Sequence, residues 1–344
     1  MKTSNNPKVL MLSIGYGKFG GTELSAERLR NWLIDNGIDV DVIAGGDSKD
    51  IIRVPTFGLW RLCWPLFAYL ISVTYVLKNK VDVIYARYAT YPLFVGVVLK
   101  KISRKPLIVS IHGGDIRHNS IFGKIIAWFL RRADVVVCYD NKEHIEKIRK
   151  LGIEPIVIDN GIDMRRFKPH KMKSAKKMAI YVGGTREIKG WFNIIAIANS
   201  NELINRDDFE FYLYANDTFG SGKVVKYMSR VPHDKIEEVY KTGQLYILPS
   251  YAEGVPGSML EAMASGMFVI ASDLDFTRKV LDKKFLFDPT HHGDVVDLIK
   301  EFCDNKKEFF GDQDKRNRKI IVENYSIDTM GQKWKDLILG LVND

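Results

Sequence analysis

Two glutamates, Glu253 and Glu261, stand eight residues apart in the run Glu253-Gly254-Val255-Pro256-Gly257-Ser258-Met259-Leu260-Glu261. Gly254, Pro256 and Gly257 suit a loop whose backbone can approach a ligand closely, and Leu260 to Ala264 reads as a helix that Gly266 stops. The amino end of that helix therefore points at whatever the loop holds, which favours an anion such as phosphate. A second reading is purely structural. Ser258 followed three residues later by Glu261 is a capping-box pattern, in which the glutamate only satisfies a backbone donor.

Other residues able to do chemistry stand at the ends of strand-like runs. His112 follows the apolar run Leu107 to Ile111 and precedes Gly113-Gly114-Asp115, at the carboxyl end of a strand, where open α/β sheets place their ligands. Lys189 closes the loop Gly183 to Gly190, between the strand Met178 to Val182 and Trp191 at the head of a helix. Gly15, Gly17 and Gly20 have the G-x-G-x-x-G spacing of a dinucleotide turn, but Ala44-Gly45-Gly46 stands where an acidic residue would hold a ribose. An oxidoreductase is disfavoured accordingly. Two D-x-D triplets, Asp39/Asp41 and Asp273/Asp275, raise metal binding; loop amides, a helix terminus and Lys189 are enough to balance a leaving diphosphate, so no metal and no further cofactor are expected.

The elements that position these residues alternate between strand and helix. Strands are expected at Lys8–Ile14, Val40–Ala44, Val81–Tyr85, Leu107–Ile111, Asp134–Cys138 and Pro155–Ile158, with helices between them, and the pattern restarts at Met178 with strands at Phe209–Tyr214, Leu245–Leu248, Met267–Ala271 and Phe285–Asp288. This is an α/β chain of two Rossmann-like halves. Arg165 to Lys177 is dense in basic residues and reads as the linker. The uncharged run Leu62–Leu77 is shorter than the roughly 20 residues needed to span hydrocarbon. A helix buried in the first domain is expected there, with membrane-surface contact as the alternative.

Composition sets the frame. A chain of 344 residues with 46% hydrophobic and 27% charged content is an ordinary globular protein with room for two cores. Cys63, Cys138 and Cys303 show no paired spacing, which excludes a disulfide framework and a zinc site and points to a reducing cytoplasm. Met1 to Pro7 lacks the apolar core of a signal peptide. The formal charge of +9 suits a phosphorylated ligand or an anionic membrane, and no nucleic-acid motif accompanies it.

The stretch EGVPGSMLEAMASG resembles the E-x7-E signature of family-four retaining glycosyltransferases, and the likeness runs along nearly the whole chain. It implies the GT-B architecture, two Rossmann-like domains facing a cleft: residues 1–165 on the acceptor side, completed by the terminal helix 325–344; a linker 166–177; and residues 178–324 on the nucleotide-sugar side. By resemblance Glu253 and His112 lie at the donor sugar, and the loop Gly254, Val255, Pro256, Gly257 and Ser258 offers amides to the diphosphate. Glu261 would take hydrogen bonds from the ribose. Gly20 and Gly21 match the family's Gly-Gly loop, and Lys189 its phosphate-gripping lysine. Gly184 stands where the family usually has arginine, and Arg186 is near enough to replace it.

The resemblance further implies retaining transfer of a sugar from a nucleotide diphosphate donor to a hydroxyl of a glycan or lipid-linked acceptor, in cell-surface polysaccharide or glycolipid synthesis. Arg87 and Arg117 are candidates for acceptor contact. A nucleotide-sugar epimerase on the same fold and a non-catalytic glycan- or nucleotide-binding protein are the rival readings. Trp60 and Trp64 beside Arg53 and Arg61, with Lys100, Lys101, Arg104 and Lys105 further on, suggest peripheral attachment to the cytoplasmic face of a membrane.

Overall fold

A computed structural model of the chain describes residues 6–16, 21–46, 48–54, 64–112, 115, 121–170, 176–215, 223–229 and 231–343. The chain divides into two compact units, Met1–Gly161 with Ile327–Asp344, and Ile162–Ser326.

In the first unit the order is β1 (Lys8–Gly15), α1 (Gly21–Asp35), β2 (Asp39–Gly45), β3 (Ile52–Arg53), α2 (Trp64–Lys78), β4 (Val83–Arg87), α3 (Tyr91–Ser103), β5 (Leu107–Ser110), α4 (Ile121–Leu130), β6 (Val135–Cys138), α5 (Lys142–Arg149) and β7 (Ile156–Val157). All seven strands are parallel, in the order β3-β2-β1-β4-β5-β6-β7. Strands such as VLMLSI and LIVS are apolar without alternation because both faces of a parallel sheet are covered. One face carries α2, α3, α4 and α5, packed over Leu10, Ile84, Leu107 and Val136. The other carries α1 over Val9, Met11 and Tyr85.

The second unit runs β8 (Lys177–Val182), α6 (Trp191–Ala198), α7 (Asn201–Ile204), β9 (Phe209–Ala215), β10 (Val225–Ser229), α8 (Ile236–Tyr240), β11 (Leu245–Leu248), α9 (Gly257–Ala264), β12 (Phe268–Ser272), α10 (Thr277–Val280), β13 (Leu286–Phe287), α11 (His292–Asp304), α12 (Lys306–Phe310) and α13 (Gln313–Asn324). Its six strands are again parallel, in the order β10-β9-β8-β11-β12-β13. The last helix, α14 (Ile327–Asn343), belongs to the first unit and sets Trp334 and Ile338 against the α1 face of its sheet. Gly331 is where it meets Trp32, at a distance that leaves no room for a Cβ.

Two expectations change. Arg166 and Phe167 are not linker: Phe167 is fully buried in the core of the second unit, and Arg166 donates to the His233 carbonyl at 2.7 Å and pairs with Glu237. The density of charge there hid a buried aromatic anchor. Helix α2 is a core helix on one side only: Ala68 and Ser72 are buried and Phe67, Ile71, Tyr75 and Val76 pack half-buried on the core, while Leu66, Leu70 and Leu77 are exposed. Trp60, Arg61 and Arg117 lie outside the described residues, as do Gly20 and the side chain of Trp64. No helix among the described residues is long and apolar enough to cross a membrane.

Candidate functional site

In the second sheet the chain leaves β8 on one side and β11 on the other, and β8 and β11 are neighbours. The loops after two such strands diverge and leave a crevice at the switch point of the sheet. Residues 183–190 form the first loop and 249–256 the second. Gly190 brings them together: its φ is +69°, and a Cβ there would lie 2.0 Å from the Pro249 carbonyl oxygen. Only glycine combines that conformation with that approach. Tyr251 N–H then donates to the Ile188 carbonyl at 3.0 Å, and the Tyr181 hydroxyl donates to the Gly184 carbonyl at 2.8 Å.

This closure sets Lys189 Nζ 2.7 Å from Oε1 and 2.8 Å from Oε2 of Glu253. Ser250 Oγ donates to Glu253 Oε1 at 2.8 Å, so the carboxylate is fixed from two sides. Beside them α9 opens at Gly257, where a Cβ would meet nothing within 4 Å, and Pro256 caps the helix without any side-chain bond. The amino end of α9 is therefore open to an anion. Gly254 and Val255 lie between Glu253 and that opening.

The capping-box reading fails here. Ser258 lies inside the helix, its hydroxyl 2.7 Å from that of Tyr246, and Glu261 is engaged with side chains: Tyr240 Oη donates to Oε2 at 3.1 Å and His233 Nε2 lies 3.3 Å from Oε1. Burial pushes the Tyr246 and Tyr181 hydroxyls up, so both stay neutral donors. Sequence reasoning missed His233, Tyr240 and Ser250. His233 stands 28 positions from Glu261, and no local spacing signals the contact. Arg186 is exposed at the start of the turn Glu187–Lys189, and Gly184 has space for a side chain, so neither position is dictated by packing.

The first unit places His112 in a pocket at the end of β5, lined also by Arg87, Ser110, Tyr139, Asn160 and Trp334. His112 Nε2 lies 3.0 Å from Ser110 Oγ and Nδ1 lies 2.8 Å from Tyr139 Oη. Tyr139 donates its one hydroxyl hydrogen to Asn160 Oδ1 at 3.2 Å, and Tyr85 donates its own to Ser110 at 3.0 Å. Each hydroxyl has a single hydrogen, so Tyr139 accepts from Nδ1–H and Ser110 donates to Nε2. This assigns a neutral His112 with its proton on Nδ1. Burial, helped by the Arg87 charge, lowers the His112 pKa well below the usual histidine range in agreement. Arg87 is itself buried and donates to Ser25 Oγ at 2.9 Å. The His112 backbone is clamped by Asp115, whose Oδ2 accepts from its N–H at 3.0 Å and from Ala89 at 3.1 Å.

Of the D-x-D carboxylates, Asp41 pairs with Lys8 at 2.7 Å and accepts from Tyr75, and Asp273 pairs with Arg278 at 2.6 Å.

Two family models match the chain in tandem: Glycosyltransferase Family 4 over residues 19–166, and Glycosyl transferases group 1 over residues 165–321. The chain belongs to the family-four glycosyltransferases. An uncharacterised glycosyltransferase of Methanocaldococcus jannaschii is 24% identical over 97% of this chain and 96% of its own length. The lipopolysaccharide core biosynthesis mannosyltransferase LpcC of Rhizobium leguminosarum bv. viciae is 26% identical, over 69% of this chain and 68% of that protein. Among solved structures, the sucrose-phosphate synthase of Thermosynechococcus elongatus superposes with a TM-score of 0.78 at 16% identity, covering 97% and 99% of the two chains, which shows the GT-B fold. The glycosyltransferase thus carries one cluster of charged residues at the switch point of its second sheet and one neutral histidine pocket in its first unit.

Proposed function

We propose that this glycosyltransferase takes its sugar from a nucleoside diphosphate donor held by the second unit and delivers it, with retention of anomeric configuration, to a hydroxyl of a glycan or lipid-linked acceptor. The observation that carries the reading is the Lys189–Glu253 pair beside the open amino end of α9. A diphosphate there takes up one ammonium, the helix terminus and the amides of Gly254 to Ser258, which together offset the charge of the leaving group. Glu261, oriented by Tyr240 and His233, offers carboxylate oxygens to the ribose hydroxyls. Glu253 is left to hold the sugar as positive character develops at its anomeric carbon. The diphosphate departs first, and the acceptor oxygen attacks the face it vacates, with no covalent enzyme intermediate. His112 acts on the sugar as a neutral group. No metal or separate cofactor is assigned, a reading supported by Asp41 and Asp273 being engaged by cationic side chains.

The lipopolysaccharide core relative supports a product in cell-surface polysaccharide or glycolipid synthesis, and we propose that the enzyme works peripherally at the cytoplasmic face of a membrane. Nucleotide release from sugar donors, measured with and without acceptor, tests the reaction class. Conversion of the donor to an isomer without any acceptor would make the protein an epimerase. Within the site, Lys189→Ala and Glu261→Ala each remove a charge-assisted contact, worth about 1.5–3 kcal/mol, and should weaken nucleoside diphosphate binding roughly ten- to a hundred-fold by calorimetry. Glu253→Gln should leave that affinity within a few-fold, because it releases Lys189 to the phosphate, and should lower turnover far more. Affinity and turnover falling together in Glu253→Gln would remove it from the sugar.

A further inference from the structure

Helix α2 is apolar all round: Ala68, Ser72 and the half-buried Phe67, Ile71 and Tyr75 face the core, and a leucine stripe faces away from it. Ala68 and Ser72 are buried, whereas Leu66, Leu70 and Leu77 are exposed, Leu77 at 70%. Positions i, i+4 and i+11 form one stripe at 100° per residue, and positions 68 and 72 fall on the opposite side. A helix whose outer face meets only water carries polar side chains there instead of leucines. The neighbouring helices on the same face of the sheet bury Leu93, Leu99, Ile126 and Leu130 and still leave apolar side chains outside: Ile102 on α3 and Ile125 and Trp128 on α4 are exposed, Trp128 at 50%.

The same stretch of sequence is basic, although Arg87 is buried in the His112 pocket and Lys100 pairs with Asp134 at 2.6 Å. Residues 61–133 hold twelve basic residues against two acidic ones, Asp82 and Asp115, a net +10 in a chain whose total is +9. Asp82 is buried and Asp115 clamps the His112 backbone. Lys78, Lys101 and Lys124 are exposed, one on each helix. Arg132 lies 3.1 Å over the Trp128 ring, an aromatic with a cationic neighbour of the kind that suits the headgroup level of a bilayer.

We infer that the outer face of the α2, α3 and α4 layer docks on an anionic phospholipid bilayer, with the leucine stripe and Trp128 entering the headgroup region and the lysines meeting lipid phosphate. This rests on the membrane-side reading above and deepens it by naming the surface. Its test uses neither donor nor acceptor, so its failure leaves the transfer reaction standing, and failure of the transfer assay leaves the surface standing.

The experiment is sedimentation of the full chain with vesicles of equal parts phosphatidylglycerol and phosphatidylcholine, against vesicles of phosphatidylcholine alone. Strong binding to the first at low salt, falling with salt, and little to the second is expected. Each lysine near an anionic surface is worth about fivefold in partitioning, so Lys78→Gln, Lys101→Gln and Lys124→Gln together should cost on the order of a hundredfold. Leu66→Ser with Leu70→Ser, and separately Trp128→Ser, should weaken binding as well, while Ile34→Ser, on α1 across the sheet, should not. Loss in the lysine variant alone would leave no insertion and overturn the inference, as would equal loss in Ile34→Ser or no sedimentation at low salt. Two other occupants are read in the same series. A dimer on size exclusion without lipid that Leu66→Ser and Leu70→Ser dissociate would assign the face to a second copy, and retention on duplex DNA in place of vesicles would assign it to nucleic acid.

Discussion

Lys189 has three donors and spends two on Glu253, so on the proposed reading a diphosphate shares the ammonium with a carboxylate that is itself fixed by Ser250. Glu261 depends on neighbours in the same way. Removing the His233 imidazole leaves one of its oxygens without that partner, so His233→Ala should lower nucleotide affinity several-fold with turnover at saturating donor unchanged, and His233→Gln should restore part of the loss. A parallel fall in kcat would mean that His233 does more than position Glu261. In the first unit, His112 stays neutral when folded and takes a proton near pH 6.5 when unfolded. Its folded pKa is depressed, so the unfolded state binds more protons between that value and 6.5. Stability is full above pH 6.5 and is lost as the pH falls below it. The melting temperature should therefore drop on acidification from about pH 7.5 to 5, and by less in His112→Gln, since the comparison cancels other groups.

Among elements, the junction of the loops after β8 and β11 hangs on Gly190. Alanine there combines a left-handed φ, about 1 kcal/mol, with a Cβ driven into the Pro249 carbonyl, which adds roughly 1–3 kcal/mol or displaces a loop. Gly190→Ala should lower the denaturation midpoint and nucleotide affinity together, whereas Gly184→Ala, with open space at its Cβ, should leave the midpoint unchanged. Equal midpoints for the two would show that the loops are free to part. What the sequence made legible follows from the same physics. Parallel strands are unbroken apolar runs, so the central strands could be read in order, and with them the loops that carry Lys189 and Glu253. Strand β10 could not, because an edge strand written Val-Lys-Tyr-Met-Ser carries little apolar signal, and neither could the His233 contact, which only tertiary packing creates. Helix α2 misled for a different reason. Its composition looks like core, and only the angular positions of Ala68 and Ser72 tell which way its leucines face.

At the scale of the molecule, the first unit is discontinuous in sequence. Its sheet has one face covered by α1 together with α14, through Met330, Trp334 and Ile338. Ending the chain at Ser326 uncovers Tyr85 and Val83 on that face, with several large side chains lost, each worth about 1.5–3 kcal/mol of burial. Calorimetry should then show the transition of the first unit lowered or lost and that of Ile162–Ser326 retained, and nucleotide should still shift the retained transition upward. A single transition lowered as a whole would mean that the two units unfold as one.

The return of α14 also sets an order of events on the ribosome. Residues 1–161 emerge first but wait for the final helix while the 165 residues of Ile162–Ser326 are translated, a delay of roughly 10–30 s at ordinary elongation rates. Throughout it, a finished parallel sheet stands with one apolar face half covered, and the inserted unit gains its last strand, Leu286–Phe287, before α14 is made. The nascent chain thus completes its second unit before its first, and the interval in between is when it has most need of a chaperone.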